Sequence, residues 1–183
     1  GLAKMHRLLA DQKGLNLTCS CRLSNNNRLI DVDKWLQILT NLLGNAIKYT
    51  VEGEITLDIF ENADRPGWIY AEVKDSGPGI EEAERETVFL PFGGRGLDQA
   101  SEMGSTGLGL TISRELAVLM GGDLLLMPSS NGARFLLELP AETWSSKGES
   151  SSVSPALPEV MAWDGSGIRV LMAEDNELNI MYA

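Results

Sequence analysis

The sequence predicts an α/β fold in which a mixed sheet, built largely of hairpins, packs against helices. Three observations carry this. Apolar residues alternate with period two in "LNLTCSCRL", "EITLDIF", "WIYAEVKD" and "ARFLLELP", the pattern of half-buried strands. Between positions 32 and 46 they recur at helical spacing instead. The elements run strand, helix, two strands, helix, loop, helix, two strands, which is not a repeating βαβ wind.

Residues 1–14, with Met5, Leu8 and Leu9, read as the end of a helix that stops near Gly14. A strand follows to about Leu23, with Leu15, Leu17, Cys19, Cys21 and Leu23 in phase. Both thiols are thus expected to point into a core, as reduced cysteines of a cytoplasmic protein. A polar loop, "SNNN", leads to Asp31, which can cap the next helix. That helix carries Val32, Trp35, Leu36, Leu39, Leu42, Leu43 and Ala46 on its apolar side. The strands at 54–60 and 68–75 are joined by a turn at Arg65-Pro66-Gly67. "EEAERETVF" is a short helix, Gly93 to Gly107 a glycine-rich loop, and the following helix stops at Gly121-Gly122. From Ala141 to Gly167 the chain turns rich in Ser and Pro, the composition of a flexible linker. "IRVLMAEDNELNIMYA" beyond it is too short to fold alone.

Composition limits the function. With 43% hydrophobic and 22% charged residues, the 183-residue chain is globular, one domain plus extra segments. A net charge of -11 argues against nucleic acid and against membrane contact, since both partners need a basic surface. No run approaches the roughly 18 apolar residues of a membrane helix, and no signal-peptide pattern opens the chain. A cytoplasmic piece of a longer protein is expected, its parent either soluble or anchored in the inner membrane.

Three segments point to chemistry. In "NLLGNAIKYT", Asn41, Asn45 and Lys48 share one helix face, although asparagine is a mediocre helix former. In "WIYAEVKD", Asp75 is in phase with Ile69, Ala71 and Val73, so its carboxylate emerges on the buried side. A buried carboxylate is costly unless hydrogen-bonded. "SGPGI" follows it, and Gly77 and Gly79 let backbone approach a ligand closely. A flat heterocycle with an amino group satisfies both features; standing alone, the segment would be a plain capped turn. In "MGSTGLGLTIS", glycines precede a helix start, whose free N–H groups suit a phosphate. Phe89 and Phe92 in "VFLPFGG" read as core residues if taken singly.

Taken in order over about half the chain, these pieces resemble the catalytic ATP-binding domain of sensor histidine kinases. That domain belongs to the superfamily shared with gyrase, Hsp90 and MutL, and the resemblance covers residues 15–140. It implies a two-layer α/β sandwich of the Bergerat type, with a mixed, mostly antiparallel sheet against helices and a mobile nucleotide lid. It also implies ATP, ADP and Mg²⁺ as ligands. Asn45 would give its side-chain oxygen to Mg²⁺, with Asn41 beside it and Lys48 on phosphate. Tyr49, Ile80, Phe89 and Phe92 would lie close to the nucleotide. Asp75 would accept the adenine amino group, with Gly77 and Gly79 shaping the pocket. Thr106, Gly107, Leu108, Gly109 and Leu110 would wrap the phosphates, and Arg95 of the lid would reach them on closure. Hydrolytic members of the superfamily have a glutamate at the place of Asn41. An amide cannot take a proton from water at neutral pH, which favours transfer of the γ-phosphate over hydrolysis.

The family's phospho-acceptor histidine sits in a motif that this chain lacks. Its single histidine, His6, stands in "KMHRLL", the expected end of a dimerisation helix or connector. The acceptor is then expected on a dimerisation and histidine-phosphotransfer domain of a homodimeric parent. "RVLMAEDNELN" resembles the start of a receiver domain, with Glu174 and Asp175 as its acidic pair, which implies a hybrid kinase. The lid segment "GGRGLDQASEM" matches the family loosely. It keeps a second reading open, a degenerate domain that binds nucleotide or a partner without kinase activity.

Overall fold

The computed structural model describes residues 2–24, 28–93 and 107–143. Helices are α1 (Leu2–Gln12), α2 (Val32–Tyr49), α3 (Glu82–Arg85) and α4 (Gly109–Leu119). Strands are β1 (Asn16–Arg22), β2 (Arg28–Leu29), β3 (Glu54–Glu61), β4 (Trp68–Asp75), β5 (Asp123–Leu126), β6 (Arg134–Pro140) and β7 (Glu142–Thr143). Five strands form an open sheet in the order β1-β3-β4-β6-β5. Only β1 and β3 pair in parallel; the other neighbours are antiparallel. The expected mixed, mostly antiparallel sheet against helices is the one observed.

Helix α2 is the platform of the domain. Asp31 caps it as expected, its carboxylate accepting from the Lys34 N–H at 3.1 Å. Asp33 in the first turn and Lys48 in the last suit the helix dipole. Ile38, Leu39, Leu42 and Leu43 are at most 1% exposed. They pack in one core with Ile55, Ile69, Leu137 and Leu139 of the sheet, and each such side chain contributes about 1.5–3 kcal/mol by burial. The opposite face of the sheet carries an ion pair and an aromatic stack. Glu72 accepts from Arg134 Nε at 2.8 Å, and Phe60 stacks on Tyr70 with ring centres 5.4 Å apart.

Several expectations shift. The inward stripe of α2 includes Ile38 and Ile47, whereas Val32 and Leu36 are exposed. Helix α1 is the expected one, with His6 and Ala10 buried and Met5, Leu8 and Leu9 exposed. Both thiols were expected inside, yet Cys19 is half-buried and Cys21 exposed. Burial fades along this edge strand: Cys21 pairs with Ile59, itself half-buried. The glycine loop lies outside the described residues beyond Gly93, and the linker beyond Thr143. Ala141, expected to open that linker, is 1% exposed and donates its N–H to the Gly67 carbonyl at 2.7 Å. Strand β7 then pairs with β2, a small two-stranded sheet that period-two alternation does not reveal. Among the described residues, no helix is long and apolar enough to cross a membrane.

Candidate functional site

Strands β4 and β6 are zipped together where β4 ends. The Asp75 N–H donates to the Ala133 carbonyl at 3.0 Å, and the Ala133 N–H returns a bond to Asp75 Oδ1 at 3.1 Å. Gly77 N–H reaches the same oxygen at 2.9 Å. Among the described residues no hydrogen bond goes to Oδ2. Asp75 is only 7% exposed. Burial pushes its carboxyl above the ordinary carboxylate value, against the opposing pull of the Ala133 and Gly77 N–H groups.

Above this carboxylate lies a largely apolar cavity of about 120 Å³. Val73, Asp75, Ala133 and Phe135 line it from the sheet, and Leu42, Asn45, Ala46 and Tyr49 from α2. Pro78, Gly79, Ile80, Glu84, Val88 and Leu110 complete the wall. A slot with apolar sides and one anchored carboxylate matches a flat base that offers an N–H donor.

The expected residues divide into three groups. Asn45, Tyr49, Asp75, Gly79, Ile80 and Leu110 line the cavity together. A second group borders it. Gly77 sits over Asp75, and Phe89 packs edge-on against the lining Phe135 with ring centres 6.2 Å apart. Lys48 Nζ lies 5.4 Å from the centre of the Tyr49 ring. Leu108 is the N-cap residue of α4, and Gly109 begins that helix. Asn41 reaches α4 as well, donating from Nδ2 to Ser113 Oγ at 2.9 Å. Phe92 is 57% exposed with φ of 61°, and its N–H bonds the Gly107 carbonyl at 3.1 Å. It flanks the start of α4 and does not line the cavity. Arg95 and Thr106 form the third group, outside the described residues.

Sequence reasoning missed several participants. Gly132 and Ala133 come from the turn "SSNGAR", which reads as a hairpin connection only. Thr50 is fully buried, and its Oγ1 has no hydrogen-bond partner among the described residues. Glu84 belongs to α3, a helix of four residues where the sequence predicts one over "EEAERETVF", and Val88 to the turn that follows it, so no periodicity defines their facing side. Lys13 donates to the Ile47 and Lys48 carbonyls at 2.8 and 3.1 Å, closing the last turn of α2.

Among the described residues, no cluster of three His, Cys, Asp or Glu could hold a metal ion. Asn45 in the cavity wall and Asn41 against the start of α4 offer neutral amide oxygens. Such a set fits a hard cation that brings phosphate oxygens and waters with it.

The comparisons agree with this geometry. Residues 30–143 match the family model described as "Histidine kinase-, DNA gyrase B-, and HSP90-like ATPase". The virulence sensor protein BvgS of Bordetella bronchiseptica is 33% identical over 177 residues, 94% of this chain and 14% of its own length. The sensor protein TorS of Escherichia coli is 38% identical over 143 residues, 78% of this chain and 14% of its own. The chain therefore spans a small part of these relatives. Among solved structures, full-length ShkA in complex with AMPPNP superposes with a TM-score of 0.64 at 28% identity, covering 79% of this chain and 29% of that one. The nucleotide-free catalytic domain of the histidine kinase ThkA gives 0.60 at 27% identity, covering 76% and 91%. The chain belongs to the histidine kinase-, DNA gyrase B- and HSP90-like ATPase family and is similar to the catalytic domain of the histidine kinase ThkA.

Proposed function

We propose that this domain binds Mg²⁺-ATP in the Asp75 cavity and delivers the γ-phosphate to a histidine on a separate dimerisation domain of its parent. The observation that carries the reading is the half-engaged carboxylate. Two backbone N–H groups hold Asp75 Oδ1, while Oδ2 keeps its acceptor capacity at the floor of an apolar slot. An adenine amino group is a donor of the right kind, whereas guanine presents a carbonyl there and meets the carboxylate with repulsion.

From this anchor the nucleotide would run along α2 toward the start of α4. Leu42, Ala46 and Phe135 would exclude water from the base. The N–H groups at Gly107–Gly109 would meet phosphate charge at the positive end of a helix. Mg²⁺, held through Asn45 and phosphate oxygens, would neutralise charge developing on the transferred group. Asn41 cannot act as a base, so water is not activated and the phosphate waits for its protein acceptor. ADP would bind as the product.

The relatives' names support a sensor-kinase parent. The "RVLMAEDNELN" segment supports a hybrid one, with Glu174 and Asp175 opening a receiver domain. We place this domain in the cytoplasm as part of a homodimer. Joining it to its parent's dimerisation domain and supplying γ-labelled ATP tests the proposal. The expected product is an acid-labile, alkali-stable label on that domain, with little phosphate release by the fragment alone. Steady phosphate release that Asn45→Ala abolishes would show a hydrolase instead.

A further inference from the structure

We infer that Ser113 is a positioning residue that anchors the Asn41 side chain against α4, at the phosphate end of the site. The inference rests on the proposed Mg²⁺-ATP reading and adds a residue to it.

Asn41 sits on α2, but α4 holds its side chain at two points. Nδ2 donates to Ser113 Oγ at 2.9 Å. A β-carbon on Gly109 would stand 2.3 Å from Oδ1 and 3.0 Å from Cγ, so the amide lies directly against the Gly109 backbone. Gly109 and Ser113 are four residues apart and therefore share one face of α4. Ser113 is 2% exposed, too deep to serve as a surface contact.

The two orientations of an amide are nearly equal in size, and packing alone does not choose between them. Here one interaction holds the amide and another orients it. The Ser113 hydroxyl can accept or donate, so it holds the amide in place in either orientation, while the N-terminus of α4, the positive end of that helix, favours the amide oxygen on its side. The outcome matters chemically, because a hard cation takes the oxygen as a ligand and is repelled by the NH₂ group. Removing the Ser113 hydroxyl releases that anchor and lets the Asn41 side chain leave its place beside α4. Ser113 thereby acts on the cation through Asn41 while touching neither nucleotide nor metal itself.

The test is titration of the whole chain with ATP, once with Mg²⁺ and once with a chelator, for wild type, Ser113→Ala, Ser113→Thr and Asn45→Ala. Ser113→Ala should lose about three- to tenfold in affinity with Mg²⁺, the usual effect of one hydrogen bond, and nothing in the chelator. Ser113→Thr keeps the hydroxyl and should restore the Mg²⁺-dependent part. Since the extra methyl must fit a buried place, the NMR signals of the Asn41 side-chain NH₂ give a second readout: they should shift in Ser113→Ala without any ligand. Equal losses with Mg²⁺ and chelator, or unmoved NH₂ signals, overturn the inference. If Asn45→Ala loses the Mg²⁺ effect and Ser113→Ala keeps it, Ser113 alone is wrongly assigned. If Asn45→Ala keeps it too, the cation reading falls, and this inference with it.

Discussion

The α-carbon of Gly132 lies hard against Asp75: a β-carbon there would stand 1.8 Å from the Asp75 carbonyl oxygen and 2.8 Å from Oδ1. Its φ of 69° is one that other residues adopt at a cost of about 1–2 kcal/mol. Gly132→Ala should therefore destabilise the domain by at least that much and displace Asp75, weakening ATP binding beyond any loss of folded protein. Urea unfolding and a titration on the folded variant measure the two effects separately. Wild-type values in both would show that the turn relaxes freely.

Asp75 itself should trade stability for binding. Burial raises its folded pKa above the unfolded value, so the folded state holds the proton more tightly. The stabilisation from this group is complete below the unfolded value, near pH 4, and is lost as pH rises through the raised folded value. At pH 7 the ionised group weighs against the fold. Asp75→Asn keeps an acceptor for Gly77 and Ala133 and removes the charge. It should raise the Tm of the ligand-free protein at pH 7 and flatten this part of its pH dependence. Meanwhile it should weaken ATP binding by about 1–3 kcal/mol. A lower Tm at pH 7 would contradict the sign.

Lys13 ties the end of α1's turn to the last carbonyls of α2, just before Tyr49 and Thr50. A cation at a helix C-terminus contributes about 0.3–1 kcal/mol. Lys13→Met should cost that amount and speed hydrogen exchange at the Thr50 N–H, which closes the helix on Ala46 at 3.0 Å. Unchanged exchange at Thr50 would show that the last turn holds itself.

The phase of α2 can be checked in the same way. Leu39→Ala and Leu43→Ala should each cost about 2–5 kcal/mol, as buried truncations do. Val32→Ala, at a position 57% exposed, should stay within about 0.5 kcal/mol. Chemical denaturation distinguishes them, and a large loss at Val32 would mean that the helix face is misassigned.

Much of this was legible because period two and period 3.6 are strong signals where one face is buried. The buried phase of Asp75 was legible from period two and the shared face of Asn41, Asn45 and Lys48 from their spacing on α2, whereas Tyr49 entered only through the family resemblance. What escaped depends on register between distant strands. Ala133 and Phe135 join the cavity only because β6 pairs with β4, and Gly132 matters only because the turn folds back on Asp75. Cys21 and Leu36 misled for a related reason: an apolar residue in phase is buried only where another layer covers it. Ser113 was invisible because a lone serine in an apolar helix carries no signal until Asn41 is placed against it.

The most direct test of the account is calorimetric titration of the chain with ATP, ADP and GTP in the presence of Mg²⁺. The account predicts one site for ATP and ADP and an affinity for GTP weaker by at least about tenfold, or 1.4 kcal/mol, because Oδ2 of Asp75 accepts from adenine and repels the guanine carbonyl. Equal affinities for ATP and GTP, or no binding of ATP at all, would contradict the assignment of this cavity as the adenine site.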